Sequence, residues 1–221
     1  MKAALLINRV SVEARYLRRL VATRLASWFW LTVGVLHLVG MCASSAATLP
    51  VFQLFHTFQE DPRGPAGALV EGADGNFYGP SAGGTWYRGV LYRITPFGAA
   101  ATVLSFDGTN GASPSALTRG PDGNLYGSAY YGGNGYTGDQ WSGKGTLFRL
   151  TPEGALTTLY RFNGPDGSQP LDRMILGRDG KLYGTTYVGG APYDGQFNFG
   201  FGTVFRLTPE GVLTTLFSFG Q

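Results

Sequence analysis

DGKLYGTTYVGG at 179–190 and GTVFRLTPEGVLTTLFSF at 202–219 decide the fold, because both strings have earlier counterparts in the chain. DGNFYG at 74–79 and DGNLYG at 122–127 match the first; LYRITPFG at 91–98 and LFRLTPEG at 147–154 match the second. The second marker recurs at intervals of 56 and 57 residues, and the first at 48 and 57. The difference is a loop between Gly79 and Val90 that is eight residues shorter in the first copy. A period of this size marks a tandem array of supersecondary units.

Each copy reads as four short strands. Strand one is expected around 68–72, 116–120 and 173–177. An Asp-Gly pair then turns the chain, since glycine takes positive φ freely and aspartate tolerates it. Strand two starts at Phe77, Leu125 or Leu182 and runs into a Gly-Gly loop. Strand three (GVLYRIT, GTLFRLT, GTVFRLT) alternates apolar and polar residues, as a half-buried strand must. Thr-Pro-x-Gly makes the next turn, with proline pre-setting φ. Strand four is ATVLSF, LTTLYRF or LTTLFSF, and an extra strand of this type, VFQLFHTF, stands at 51–58. The expectation is an all-β, propeller-like array of three four-stranded antiparallel blades, complete or incomplete as a ring, with repeats at about 59–106, 107–162 and 163–221. A β-solenoid is the competing architecture.

The first 46 residues form a separate segment. They hold six of the seventeen basic residues and one of the fourteen acids, so the remainder has eleven against thirteen and a net charge of −2. The basic balance of the whole chain therefore belongs to this leader, and the body lacks the basic cluster of a nucleic-acid binder. The uncharged run SWFWLTVGVLHLVGMCA at 27–43, followed by small residues, has the order of a secretory signal, with an apolar helix at its centre. Left uncleaved, it is long enough to anchor the chain in a membrane. The protein is expected to be exported, secreted or held at the cell surface, with residues 47–221 as the β-repeat domain. The one cysteine, Cys42, lies in the leader, so the body has no disulfide.

The run DGxLYG…GG…GT[LV]FRLTPEGxLTTL resembles the GloVer tandem repeat of bacterial exported proteins that attach through a variable C-terminal anchor. The resemblance covers residues 51–221 and is closest in the second and third copies. It implies an exported repeat protein without assigned catalytic residues. The first copy departs from it at Pro80-Ser81-Ala82, Phe97 and Ala99, and the sequence ends at Gln221 without an anchor segment. Three blades are fewer than the four to eight of a closed ring. Further blades are then expected from a longer gene product or from a second chain, two chains making a six-blade ring. Alternatively, the strand at 51–58 completes a neighbour's blade or lies against the C-terminal blade of its own chain.

Catalytic motifs are scarce. His56 is the one histidine after the leader, and neither a nucleophile elbow nor a phosphate loop occurs. No cofactor or metal is expected. Asp74, Asp122 and Asp179 read as turn formers, and Arg93, Arg149 and Arg206 as structural cations of strand three. Asn163 and Asp166 offer oxygens to calcium without a twelve-residue calcium loop.

The loop after Gly-Gly varies most: TWYRG at 85–89, NGYTGDQWSGKG at 134–145 and APYDGQFNFGFG at 191–202. In a blade this loop and the connection from strand four to the next blade share one face. The candidate ligand-binding residues there are Trp86 and Tyr87; Tyr130, Tyr131, Tyr136, Asp139 and Trp141; and Tyr187, Tyr193, Asp194 and Phe197. Variable loops on a fixed scaffold commonly carry function, and aromatic faces edged with amides and carboxylates suit sugar rings or protein partners. The leading expectation is an exported non-enzymatic binding or interaction module for a glycan or a protein. The alternatives are a truncated structural array without a ligand, and a carbohydrate-active enzyme using Asp residues.

Overall fold

The computed structural model describes residues 64–191, 193–195 and 199–220. The apolar segment 27–43, the strand expected at 51–58, His56 and Phe197 lie outside the described residues. The described residues form three antiparallel sheets in sequence order, each a blade. Blade one is β1 (Val70–Glu71), β2 (Phe77–Ser81), β3 (Val90–Ile94) and β4 (Ala100–Ser105). Blade two is β5 (Ala112–Pro114), β6 (Thr118–Arg119), β7 (Leu125–Tyr131), β8 (Thr146–Leu150) and β9 (Leu156–Arg161). Blade three is β10 (Ser168–Leu176), β11 (Leu182–Val188), β12 (Thr203–Leu207) and β13 (Leu213–Ser218). The propeller-like, all-β expectation holds. Among the described residues no helix is long and apolar enough to cross a membrane.

The turns work as their residue types demand. In each Asp-Gly turn an aspartate Oδ1 accepts the N–H two residues on: Asn76 to Asp74 at 3.2 Å, Asn124 to Asp122 at 3.2 Å and Lys181 to Asp179 at 3.3 Å. The other oxygen accepts the hydroxyl of the tyrosine at the second position of strand two, Tyr78 at 2.9 Å, Tyr126 at 2.8 Å and Tyr183 at 3.0 Å. These aspartates are turn formers and also clasps, tying each hairpin to its own strand. In the Thr-Pro-x-Gly turns the threonine Oγ1 accepts the N–H four residues on, at Ala99, Ala155 and Val212. The register between strands three and four slips once in every blade, after Leu91, Leu147 and Val204.

Strand one differs from its expected extent. In blade three it runs nine residues with a bulge between Leu171 and Ile175, and in blade two the same place splits it into β5 and β6. The bulge has a partner. The carbonyl of Asp172 accepts the Ser115 hydroxyl at 3.0 Å and the Ser128 hydroxyl at 3.2 Å, and the Met174 carbonyl accepts the Thr118 hydroxyl. A bulge turns backbone groups away from their own ladder; here they bond the preceding blade.

The core lies between the sheets. One cluster joins Tyr78, Leu91 and Phe106 of blade one and its exit to Leu117, Leu125, Phe148 and Leu150 of blade two. The next joins Tyr126, Leu147 and Phe162 to Met174, Leu182, Phe205 and Leu207. The same ring contact recurs in both: Phe106 on Phe148 at 5.3 Å and Phe162 on Phe205 at 5.5 Å between centroids.

Candidate functional site

Two kinds of loop meet on one face. The connection leaving strand four of one blade packs beneath the long loop of the next. Gly133 N–H donates to the Gly108 carbonyl and Gly190 N–H to the Gly164 carbonyl, both at 2.9 Å. Gly108 and Gly164 leave room for an aromatic ring. A Cβ at Gly108 would stand 2.1 Å from the Tyr136 ring, and one at Gly164 2.2 Å from the Tyr193 ring. Tyr136 and Tyr193, both proposed from sequence as ligand-facing, thus carry a structural load: each props a loop over a glycine.

Tyr136 has a second neighbour. The Arg88 guanidinium lies over its ring, 5.4 Å from the centroid, and Arg88 Nη2 donates to the Gly138 carbonyl at 3.2 Å. Arg88 Nε is buried with no hydrogen-bond partner among the described residues. Stacking on an aromatic face suits the planar, weakly hydrated guanidinium. Arg88 comes from blade one and Tyr136 from blade two, so the contact crosses the junction of the blades.

Around this pair lies a cleft of about 570 Å³ lined by Trp86, Tyr87, Arg88, Gly138, Asp139 and Gln140. Trp86 and Tyr87 are exposed on a short 3₁₀ turn (Thr85–Tyr87), and both take positive φ, 60° and 55°. Non-glycine residues rarely adopt this region, and where they do the surroundings must hold them. Gln140 supplies one such restraint. With its amide oriented to satisfy both neighbours, its nitrogen donates to the Trp86 carbonyl at 2.8 Å and its oxygen accepts the Trp141 indole N–H at 3.2 Å. Asp139 is exposed. Its Oδ1 accepts the Trp141 backbone N–H at 3.0 Å, and its carbonyl accepts the Ser142 N–H at 3.0 Å and hydroxyl at 2.6 Å.

The remaining candidates stand elsewhere. Tyr130, Tyr131 and Trp141 form an edge-to-face series, 4.6 Å and 5.5 Å between successive centroids. The Tyr130 hydroxyl donates to Gln169 Oε1 of blade three at 3.0 Å. Burial, with Tyr131 and Tyr187 nearby, pushes the Tyr130 hydroxyl's pKa up. Tyr187 and Asp194 are exposed on blade three. Of the eleven residues named from sequence, Trp86, Tyr87 and Asp139 therefore line the cleft, with Tyr136 and Trp141 supporting it.

Arg88 was missed as a site residue. Lys144 and Phe201 occupy its place in the other copies, so its arginine is not a repeat feature. A cation at a variable loop position was the available signal. The calcium reading of Asn163 and Asp166 does not fit: both Asp166 oxygens are engaged, Oδ1 by the Asn163 N–H at 3.0 Å and Oδ2 by the Tyr160 hydroxyl. Among the described residues no three His, Cys, Asp or Glu side chains gather as metal ligands would.

No protein-family model matches the chain, and no curated protein does either. Solved structures do. One is a protein assigned as a gluconolactonase, with 21% identity over 68% of this chain and 48% of its own length, TM-score 0.45. Another is a gluconolactonase of Xanthomonas campestris, with 18% identity over 70% of this chain and 46% of its own, TM-score 0.46. A third is a Thermus thermophilus protein assigned as a glucose-dehydrogenase-type oxidoreductase, 16% identical over 69% of this chain and 45% of its own, TM-score 0.44. The chain spans about half the length of these structures. All three are described as enzymes, against the expectation of a non-enzymatic module for this chain, and the carbohydrate-active alternative is the one taken up below.

Proposed function

We propose that the chain is an exported, carbohydrate-active repeat protein of the GloVer type, and that the cleft between blades one and two hydrolyses a sugar lactone or ester. One observation carries this reading: a guanidinium and a carboxylate from different blades flank one cleft beside two exposed aromatic rings. Trp86 and Tyr87 would take the apolar face of a sugar ring. A glycosidase needs two carboxylates across the scissile bond, and the cleft lining has one, Asp139. One base and one cation suffice for acyl chemistry.

In that chemistry Asp139 takes a proton from water, and the resulting hydroxide attacks the substrate carbonyl carbon. The carbonyl π electrons move onto oxygen, where the Arg88 guanidinium stabilises the charge. Collapse breaks the ring C–O bond, and the proton held by Asp139 passes to the departing alkoxide. Water is consumed and the sugar acid is released. Tyr136 and the Gly138 carbonyl hold the guanidinium in place before substrate arrives, so little reorganisation is needed.

The test is hydrolysis of sugar lactones, followed by acid release at constant pH against the spontaneous rate. Asp139→Asn should lower kcat by about 10²–10⁴-fold, and Arg88→Met by about 10²–10³-fold, with the circular dichroism spectrum unchanged. A wild-type rate equal to the spontaneous one, or variants as fast as wild type, would defeat the proposal. Export is tested separately by N-terminal sequencing of the protein recovered from the medium, which should begin near Ala47.

A further inference from the structure

Each junction between blades is built from the same parts, and the two end blades carry the unmatched halves of a third. On the giving side, a residue before strand three offers its carbonyl to the next blade: Arg88 accepts the Ser113 N–H at 2.7 Å, and Lys144 accepts the Gln169 N–H at 2.8 Å. The following glycine then faces a proline. A Cβ at Gly89 would lie 2.2 Å from Pro114 Cδ, and one at Gly145 2.4 Å from Pro170 Cδ. On the receiving side Ser113 and Gln169 hold positive φ, 55° and 58°, directly before those prolines.

Blade three repeats the giving half in Phe201-Gly202, but the atoms nearest Gly202 are backbone atoms of Thr186 and Tyr187 rather than a proline. Blade one repeats the receiving half in Gly64-Pro65, with Gly64 at φ 61°. Pro65 is exposed, whereas Pro114 and Pro170 are buried.

The side chains tell the same story. Phe106 and Phe162 are 2% and 0% exposed because the next blade covers them; their counterpart Phe219 is 45% exposed. Leu117 and Met174 are each 1% exposed beneath the preceding blade; their counterpart Leu69 is 48% exposed. Among the described residues, two apolar half-junctions of complementary construction therefore stand open at opposite ends of one array.

We infer that a second copy of this chain occupies both, its Gly64-Pro65-Leu69 face docking on Phe201-Gly202-Phe219 and the reverse contact closing the ring. The occupant follows from the parts. What fits blade three is what already fits blades one and two, a blade of this repeat beginning with a positive-φ residue and a proline. Contacts between unlike faces form rings when rotation closes. Closed propellers hold four to eight blades, and six is the one multiple of three in that range. For chains of three blades, two is the copy number that closes.

The experiment uses the full chain. Light scattering on the purified protein with its leader retained should give twice the chain's 23.6 kDa. In a Cys42→Ser background, Leu69→Cys paired with Phe219→Cys should form a disulfide-linked dimer under mild oxidation. The design copies Phe106 with Leu117 and Phe162 with Met174, each pair sharing one buried cluster. Leu69→Asp should turn the dimer into a monomer with an unchanged circular dichroism spectrum, since Leu69 belongs to neither buried cluster of the described residues. A monomeric mass overturns the inference, whether the chain's own N-terminal residues or solvent covers Phe219. An intrachain disulfide, or a ladder of higher oligomers, also overturns it.

Discussion

The hydroxyl of Tyr126 donates to Asp122 Oδ2 at 2.8 Å, while its ring is completely buried between blades two and three. One side chain therefore closes a hairpin and fills an inter-blade core. Tyr126→Phe keeps the ring and removes the bond, and should cost about 1–2 kcal/mol of unfolding free energy. Urea denaturation of the two proteins side by side measures it; no change in midpoint would show the clasp to be idle.

The same tyrosine makes the fold sensitive to alkali. Burial first, then the Asp122 carboxylate it donates to, pushes its pKa up to about 12. An unfolded tyrosine ionises near 10. Between these values the unfolded chain has released a proton that the folded chain still holds, so stability falls as pH rises. The contribution is intact below about pH 10 and lost by about pH 12. Thermal midpoints across this window should fall more steeply for wild type than for Tyr126→Phe.

Gly127 lies where strand two passes under the aromatic residue of strand three. A Cβ there would stand 2.5 Å from Phe148 Cζ and 2.7 Å from Leu117 Cδ2, both inside the first core. Gly127→Ala should destabilise by about 1–3 kcal/mol through overpacking. Phe148→Leu in the same chain should recover part of that loss, which denaturant titration of the double variant can read.

Phe162 is buried among residues of two blades, with its ring 5.5 Å from Phe205. Phe162→Ala should cost about 3–5 kcal/mol. Because the cavity opens between sheets, hydrogen exchange should quicken in both blade two and blade three, not in blade two alone.

Tyr136 links the cleft to the scaffold. Tyr136→Ala removes the ring above Gly108 and the face beneath Arg88. It should both destabilise the fold by about 2 kcal/mol or more and abolish lactone hydrolysis, whereas Tyr136→Phe should retain most of each. Parallel melting curves and rate assays separate these outcomes.

Much of the scaffold was legible because local chemistry dictates it. Asp-Gly and Thr-Pro-x-Gly turns bracket alternating strands, and the starts of strand two at Phe77, Leu125 and Leu182 fell where the turns put them. The first part of strand one was not legible. Ser113-Pro114 and Gln169-Pro170 look like loop, since proline and positive φ argue against a strand, and what orders them is a carbonyl of the previous blade. The loop face was legible as a cluster of aromatic residues but not in its division of labour. Whether a tyrosine faces solvent or props its own loop depends on a distant glycine, Gly108 for Tyr136 and Gly164 for Tyr193. The importance of Arg88 arises only when blade two brings Tyr136 beneath it.

Placing the cores between sheets has a consequence for how the molecule comes apart. A blade of this kind owns no interior; it borrows half of one from each neighbour. Among the described residues the middle blade is held from both sides and the outer two from one, so opening should begin at the ends and travel inward, as in a chain of nearest-neighbour couplings. Once the ends meet those of another copy, the array has no ends to fray, and dilution rather than heat becomes the gentlest way to loosen it.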